Sequence, residues 1–222
     1  MNFRMLNAFY SGHDDEEKTL FQLWEQGGAR GDSVTPSTYS APYRGWMRDR
    51  ILEALRRNGT GGLVSLGCGN AVIEEEIAAL GHEVLAVDLL PEAVACARNK
   101  GLRAVQADIS AWTPPEGGWT VVYMDGVLPH LYDPGRDSLP VLAHIRSWLG
   151  EGTLIASNDG TRDGSPVERV PNIPDFHWLS PEYMREEARS AGFVRVSSTT
   201  FTYERPLSGP RRRSVLFADA VH

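Results

Sequence analysis

Cysteine is scarce. The chain has two, Cys68 and Cys96, in no CxxC spacing, which argues against a disulfide framework and a zinc cluster. Long apolar runs are absent too. No stretch approaches the roughly 20 residues of a spanning helix, and the start MNFRMLNAFYSGHDDEEK lacks the apolar core of a secretion signal. We therefore expect a cytoplasmic protein with no membrane role. Positive charge is in deficit: 22 Lys and Arg stand against 29 Asp and Glu, for a net −7. Phosphate-rich partners need a basic face, so no nucleic-acid partner is expected. The basic run at 211–213 follows Pro210 and reads as a solvated hairpin connection. There is no internal repeat and no low-complexity tract. What is present is ordinary for a soluble globular chain: 222 residues, 41% hydrophobic and 23% charged, enough for a sizeable core and a small cap.

From Leu63 onward, short β-rich runs alternate with helical periodicity, the pattern of a parallel sheet covered by helices on both faces. Strands are expected at 63–66, 83–88, 103–107, 120–125 and 153–157. Helices are expected at 72–80, 91–100, 138–149 and 181–191, several entered through proline and each closed by a following glycine. The runs 193–203 and 214–221 are joined by a segment too short for a helical crossover, so they predict an antiparallel pair at the end of the sheet. Ahead of the sheet, Met47, Ile51 and Leu55 recur every four residues with Trp46 and Leu52 beside them, an amphipathic helix ending at Asn58-Gly59. A second is expected at 14–26. Between them, GGARGDSVTPSTYSAPYRG reads as a long structureless loop. The domain expectation is a helical cap and lid loop over 1–58 and a core over 59–222. The fold expectation is α/β: a doubly wound, Rossmann-like, mostly parallel sheet with that C-terminal strand pair and N-terminal cap.

The informative stretch is LVSLGCGNAVIEEEIAALGHEVLAVDLL. Gly67 and Gly69 sit where a strand turns sharply into a helix, permitting unusual backbone angles and close approach of a ligand. Asp88 follows the first glycine by 21 residues, at the end of the next apolar run. A dinucleotide turn wants a third glycine where this chain has Val72. The turn suits instead a nucleoside whose ribose hydroxyls the acid accepts.

In these residues the chain resembles the class I S-adenosylmethionine-dependent methyltransferases of small-molecule type, over about 63–219. LVSLGCGNA is similar to the first motif, LAVDLL to the second, VQADI to the third and VVYMDGVLPHL to the fourth. The resemblance implies S-adenosyl-L-methionine as cofactor. Gly67, Cys68 and Gly69 would meet its methionine part, Asp88 the ribose diol and Leu89 the adenine face. Asp108 would accept from the adenine amino group, Ile109 would offer its N–H to the ring, and Asp125 would close the methionine end. Two positions depart from the pattern. The acid that usually stands two residues before the first glycine is Ser65, which implies one weaker contact to the methionine amino group. The last glycine of the turn is Ala71.

Methyl transfer from a sulfonium is an in-line displacement, so the protein contributes placement and, where needed, proton removal. Two histidines are candidate bases. His130 lies five residues past Asp125 in DGVLPHL, where packing or capping also explains it. His177 lies in NIPDFHWLS between Phe176 and Trp178, which would exclude water. Of the two, His177 is favoured. Tyr39 and Tyr43 in the amino-terminal loop, with Trp178 and Asp159, are the candidate acceptor contacts, the tyrosines acting as lid or as anchor. Asp125, Asn158 and Asp159 fall near the metal ligands of catechol-type members, but the pair is reversed in order and Asp125 has a cofactor role, so no metal is expected. His144, mid-helix in VLAHIRSWL, reads as a surface or packing residue. The expected activity is methylation of an O or N atom of a small metabolite or natural product, with the product S-adenosyl-L-homocysteine. The rivals are another use of the same cofactor, such as aminopropyl transfer or cyclisation, and a non-catalytic cofactor-binding regulator.

Overall fold

The computed structural model describes residues 3–12, 18–171, 173 and 175–221. Its strands are β1 (Gly62–Leu66), β2 (Val84–Asp88), β3 (Arg103–Gln106), β4 (Trp119–Asp125), β5 (Thr153–Asp159), β6 (Val167–Arg169), β7 (His177–Leu179), β8 (Arg195–Arg205) and β9 (Gly209–Asp219). Seven of them make one sheet in the order β3-β2-β1-β4-β5-β9-β8, while β6 and β7 pair apart as a small antiparallel ribbon. The first five strands of the sheet run parallel; β9 is antiparallel to β5 and β8 to β9. The expected doubly wound sheet with a terminal antiparallel pair is therefore present.

Strands β1, β2 and β5 are buried along their whole length, while the edge strand β3 is partly exposed, and alternate residues of the central strands feed two cores. Val64, Leu66, Leu85 and Val87 face one core, filled by Leu142 and Ile145 of α8 (Pro140–Trp148) and Met184 and Ala188 of α9 (Pro181–Ser190). Leu63, Val84 and Ala86 face the other. That core is filled by Met47, Ile51 and Leu55 of α4 (Ala41–Arg57), Ile73 and Ile77 of α5 (Val72–Ala79), and Val94 and Ala97 of α6 (Pro91–Asn99). Proline opens α6, α8 and α9, where its missing N–H costs nothing. Ser180 caps α9 by accepting from the Tyr183 N–H.

The amino-terminal region is more ordered than its sequence suggested. Helix α1 (Phe3–Tyr10) had no counterpart in the expectation, and α2 (Leu20–Glu25) occupies only the end of the expected 14–26 helix, residues 14–17 of which lie outside the described residues. Thr19 and Gln22 form a reciprocal capping box at the start of α2. Leu20, Phe21 and Trp24 pack on Leu90 and Ala93 at the start of α6. The loop expected to be structureless contains α3 (Pro36–Tyr39) and the first turn of α4. Tertiary packing, which no local pattern reports, orders this segment over the carboxyl ends of the strands.

Candidate active site

Strand order reverses around β1 and β4, and in open α/β sheets ligands bind beyond the carboxyl strand ends at such a reversal. A cavity of about 420 Å³ opens there. One end is built by the turn after β1. The N–H groups of Gly67 and Cys68 donate to Val87 O at 2.7 and 3.1 Å, tying the turn to β2. Gly67 has φ +74°, and a Cβ there would come within 2.3 Å of Val127 Cγ2. Gly69 has φ +55° with open space beside it, so a ligand can approach its backbone. Ala71 also takes a left-handed φ of +54°, the strain of a methyl where the family pattern has glycine.

Asp88 ends β2 with its carboxylate fixed toward this turn. Oδ2 accepts from the Gly69 N–H at 3.0 Å and Oδ1 from the Leu90 N–H at 2.9 Å. Burial pushes the carboxyl up to about 6, against the pull of those N–H groups. Gly67, Cys68, Gly69, Asp88, Leu89, Ile109 and Asp125 all line the cavity. Asp108 does not: it is exposed, and its carboxylate accepts from the Ser110 N–H at 2.9 Å. Residues not foreseen also reach this end. Glu74, in the first turn of α5, lines the cavity while Ser65 Oγ donates to its Oε1 at 2.5 Å. A glycine cradle open to approach, a fixed buried carboxylate and flanking apolar side chains fit a nucleoside with an aminoacyl tail, the shape of S-adenosylmethionine.

The other end is an arginine cage that the sequence reading missed. The run 211–213 is not a solvated turn: it lies within β9, and the hairpin turn precedes it. Period-two alternation sends Arg211 and Arg213 to one face, and the antiparallel register places Arg213 opposite Asp159. Arg213 is 4% exposed. Its Nη1 donates to Asp159 Oδ1 at 3.1 Å and its Nη2 to Asp125 Oδ1. Asp159 also pairs with Arg205 and Arg211 and accepts from the Tyr203 hydroxyl. Burial alone would raise the Asp159 carboxyl, but the guanidiniums of Arg213, Arg205 and Arg211 outweigh it and hold it below the usual carboxylate range. On Asp125, Ser157 Oγ donates to Oδ1 at 2.6 Å and the Tyr123 hydroxyl to Oδ2 at 3.1 Å.

The expected acceptor residues divide. Trp178 and Asp159 line the cavity. The Trp178 ring lies under the guanidinium carbons of Arg211, Arg162 and Arg205 at 3.9, 4.5 and 5.8 Å from its centroid. Tyr39 is exposed and Tyr43 is fully buried behind the wall, its hydroxyl bonded to Ser157 Oγ at 2.9 Å; neither ring lines the cavity. The amino-terminal cover comes instead from Phe9, Tyr10, Phe21 and Trp24.

The histidines separate in the same way. His130, on the short α7 (Leu128–Leu131), lines the cavity. Its Nε2 lies 2.8 Å from the Tyr10 hydroxyl, and its ring meets Phe176 edge-on at 4.6 Å. His177 does not reach the cavity. The alternation of β7 turns Phe176 and Trp178 inward and His177 outward onto Tyr132, 4.8 Å between centroids. Burial and Arg169 lower its pKa. His144 packs as expected, its Nε2 2.8 Å from Trp112 O. Asn158 is turned from the site, accepting from the Leu179 N–H and donating to Met184 Sδ, and among the described residues no cluster of metal-ligating side chains forms. Among them, too, no helix is long and apolar enough to cross a membrane.

The model of a family described as a methyltransferase domain matches residues 41–198. The chain is 37% identical over 208 residues to a tabtoxin biosynthesis enzyme of Pseudomonas amygdali pv. tabaci, covering 92% of this chain and 82% of that one. It is 30% identical over 164 residues to a probable S-adenosylmethionine-dependent methyltransferase of Mycobacterium tuberculosis, covering 72% of this chain and 56% of that one. Among solved structures it resembles magnesium protoporphyrin IX methyltransferase from Synechocystis PCC 6803 with bound S-adenosylmethionine, at a TM-score of 0.62, 15% identity and 97% coverage of each chain. The chain belongs to the methyltransferase-domain family. It is an S-adenosylmethionine-dependent enzyme of the class I fold, as the resemblance of its motifs implied.

Proposed function

We propose that the enzyme methylates an oxygen or nitrogen atom of a small biosynthetic intermediate in the cytoplasm. One observation carries this reading: a single cavity of about 420 Å³ joins the Gly67–Asp88 cradle to a chamber walled by His130, Phe176, Trp178 and Arg205. That volume suits a cofactor tail with a small acceptor. Gly67, Gly69, Asp88, Leu89 and Ile109 would hold the cofactor, whose sulfonium supplies an activated methyl group. The apolar cover of Phe9, Phe21, Trp24 and Phe176 excludes water from the chamber. His130 is the base we assign. It sits at the carboxyl end of β4 with Nε2 steadied by Tyr10, where it can take the acceptor's proton as the acceptor attacks. His177, outside the cavity, is not assigned a role. In the cage, three guanidiniums (Arg205, Arg211, Arg213) serve two carboxylates, Asp125 and Asp159. The excess positive charge beside Trp178 favours an acceptor that carries an anionic group. The tabtoxin biosynthesis relative supports a natural-product setting.

The experiment is incubation of the enzyme and S-adenosylmethionine with a metabolite panel that includes carboxylated amines and alcohols. We expect S-adenosylhomocysteine release and a mass gain of about 14 Da on one acceptor. Release of 5′-methylthioadenosine in place of S-adenosylhomocysteine would favour aminopropyl transfer, and an acceptor rearranged at unchanged mass with the cofactor intact would favour a cyclisation.

A further inference from the structure

Glu74 is a carboxylate that the cofactor motifs do not explain. It is 3% exposed, yet it lines the cavity beside the glycine turn. Among the described residues its side-chain partner is Ser65, whose Oγ donates to Oε1 at 2.5 Å, and no arginine, lysine or histidine pairs with it. Burial, and the nearby carboxylates of Asp125 and Asp88, push its pKa up. A buried carboxylate in an acidic setting is costly to keep unless a cation arrives. The other acids of the cavity do not share this state. Asp125 and Asp159 are matched by Arg213, and Asp88 is held by two backbone N–H groups.

The position also matters. Ser65 stands where the family pattern places an acid, two residues before Gly67. Its side chain fixes Glu74, nine residues on and one turn into α5. We infer that Glu74 supplies from the helix the carboxylate that the strand lacks, and receives the ammonium group of the cofactor's methionine moiety, with Ser65 as its positioning residue. The pair is a relocated half of the cofactor site. It makes the site selective for ligands that carry the amino acid tail.

Calorimetry with two ligands tests this. S-adenosylhomocysteine carries the tail; 5′-methylthioadenosine keeps the nucleoside and lacks the amino acid. Glu74→Gln is isosteric and still accepts from Ser65. We expect it to weaken S-adenosylhomocysteine by about 10-fold or more, the scale of a hydrogen bond to a charged group, and to leave methylthioadenosine at wild-type affinity. Equal S-adenosylhomocysteine affinity in wild type and Glu74→Gln would overturn the assignment. An equal loss for both ligands would overturn it as well, because Glu74 would then be supporting the fold of the cradle. Ser65→Ala, which frees the carboxylate without removing it, is expected to lower S-adenosylhomocysteine affinity less than Glu74→Gln. A larger loss in Ser65→Ala would place the function in Ser65 and contradict the proposal.

Discussion

The two ends of the cavity solve the problem of buried charge in opposite ways. At the cofactor end, Asp88 and Glu74 are carboxylates without a cationic partner among the described residues, and burial pushes their pKa values up to about 6 and 7. At the acceptor end, Asp125 and Asp159 share Arg213, and Arg205 and Arg211 close on Asp159. A buried acid without a countercharge is open to a ligand's donors, hydroxyls at Asp88 and an ammonium at Glu74; a matched acid is a wall. A cofactor carrying an ammonium and a sulfonium suits the first end, and a chamber that must keep its shape around changing ligands suits the second.

The sharpest way to break this contrast is to remove the cation of the wall. Arg213→Met keeps much of the volume and leaves Asp125 and Asp159 buried with less compensation. We expect a loss of about 3–5 kcal/mol in urea unfolding, the cost of breaking a buried pair. A loss below about 1 kcal/mol would make the cage no stronger than a surface ion pair. Next in size is the base. His130→Ala is expected to slow turnover by roughly 100-fold on a hydroxyl or protonated amine while leaving cofactor affinity intact, and His177→Ala to leave the rate near wild type. If both variants turn over normally, the acceptor needs no proton removal and the enzyme works by positioning.

A smaller effect distinguishes the ends by pH. The groups around Glu74 are Ser65 from β1, Asp88 from β2, Cys68 from the turn, and Tyr123 and Asp125 from β4. Both raised carboxyls are partly protonated near neutrality, and a ligand that donates its ribose hydroxyls to one and its ammonium to the other prefers their ionised forms. Cofactor affinity should therefore rise with pH through about 6 to 7 and fall below it. Glu74→Gln should remove the upper step. Affinity flat from pH 5.5 to 8, about the span of both titrations, would mean that neither acid meets the cofactor. The smallest expected effect is none: chelator treatment should leave the rate unchanged, since Arg213 holds Asp125 and Asp159, and Asn158 is turned toward Leu179 and Met184. A loss restored by magnesium would move these residues into a ligand set.

The same contrast explains what could be read from sequence. The cofactor end is local: a glycine turn, the acid after the next strand, and periodicities that fix strands and helices in order. Those signals need no knowledge of register. The acceptor end is assembled from residues far apart in the chain, and Arg213 reaches Asp159 only through the pairing of β9 with β5. Read alone, 211–213 resembles a turn because Pro210 and Gly209 precede it. A usable signal was there: the arginines continue the alternation of Val215 and Phe217, as a strand would. His177 misled for a related reason. Flanking aromatics suggested a dry pocket, but in a strand the neighbours of an outward residue point inward, so Phe176 and Trp178 took the cavity. Glu74 was hidden because the missing acid at Ser65 reads as a loss until α5 is seen folded back over β1.

The most direct test is cofactor titration of one variant from each end. Asp88→Ala should weaken S-adenosylmethionine binding by about 1.5–3 kcal/mol, the value of a hydrogen bond to a charged group. Arg205→Met should bind it as wild type does, because its charge belongs to the acceptor wall. If Asp88→Ala binds as tightly as wild type, or Arg205→Met loses as much as Asp88→Ala, the division of the cavity into a cofactor end and an acceptor end is wrong.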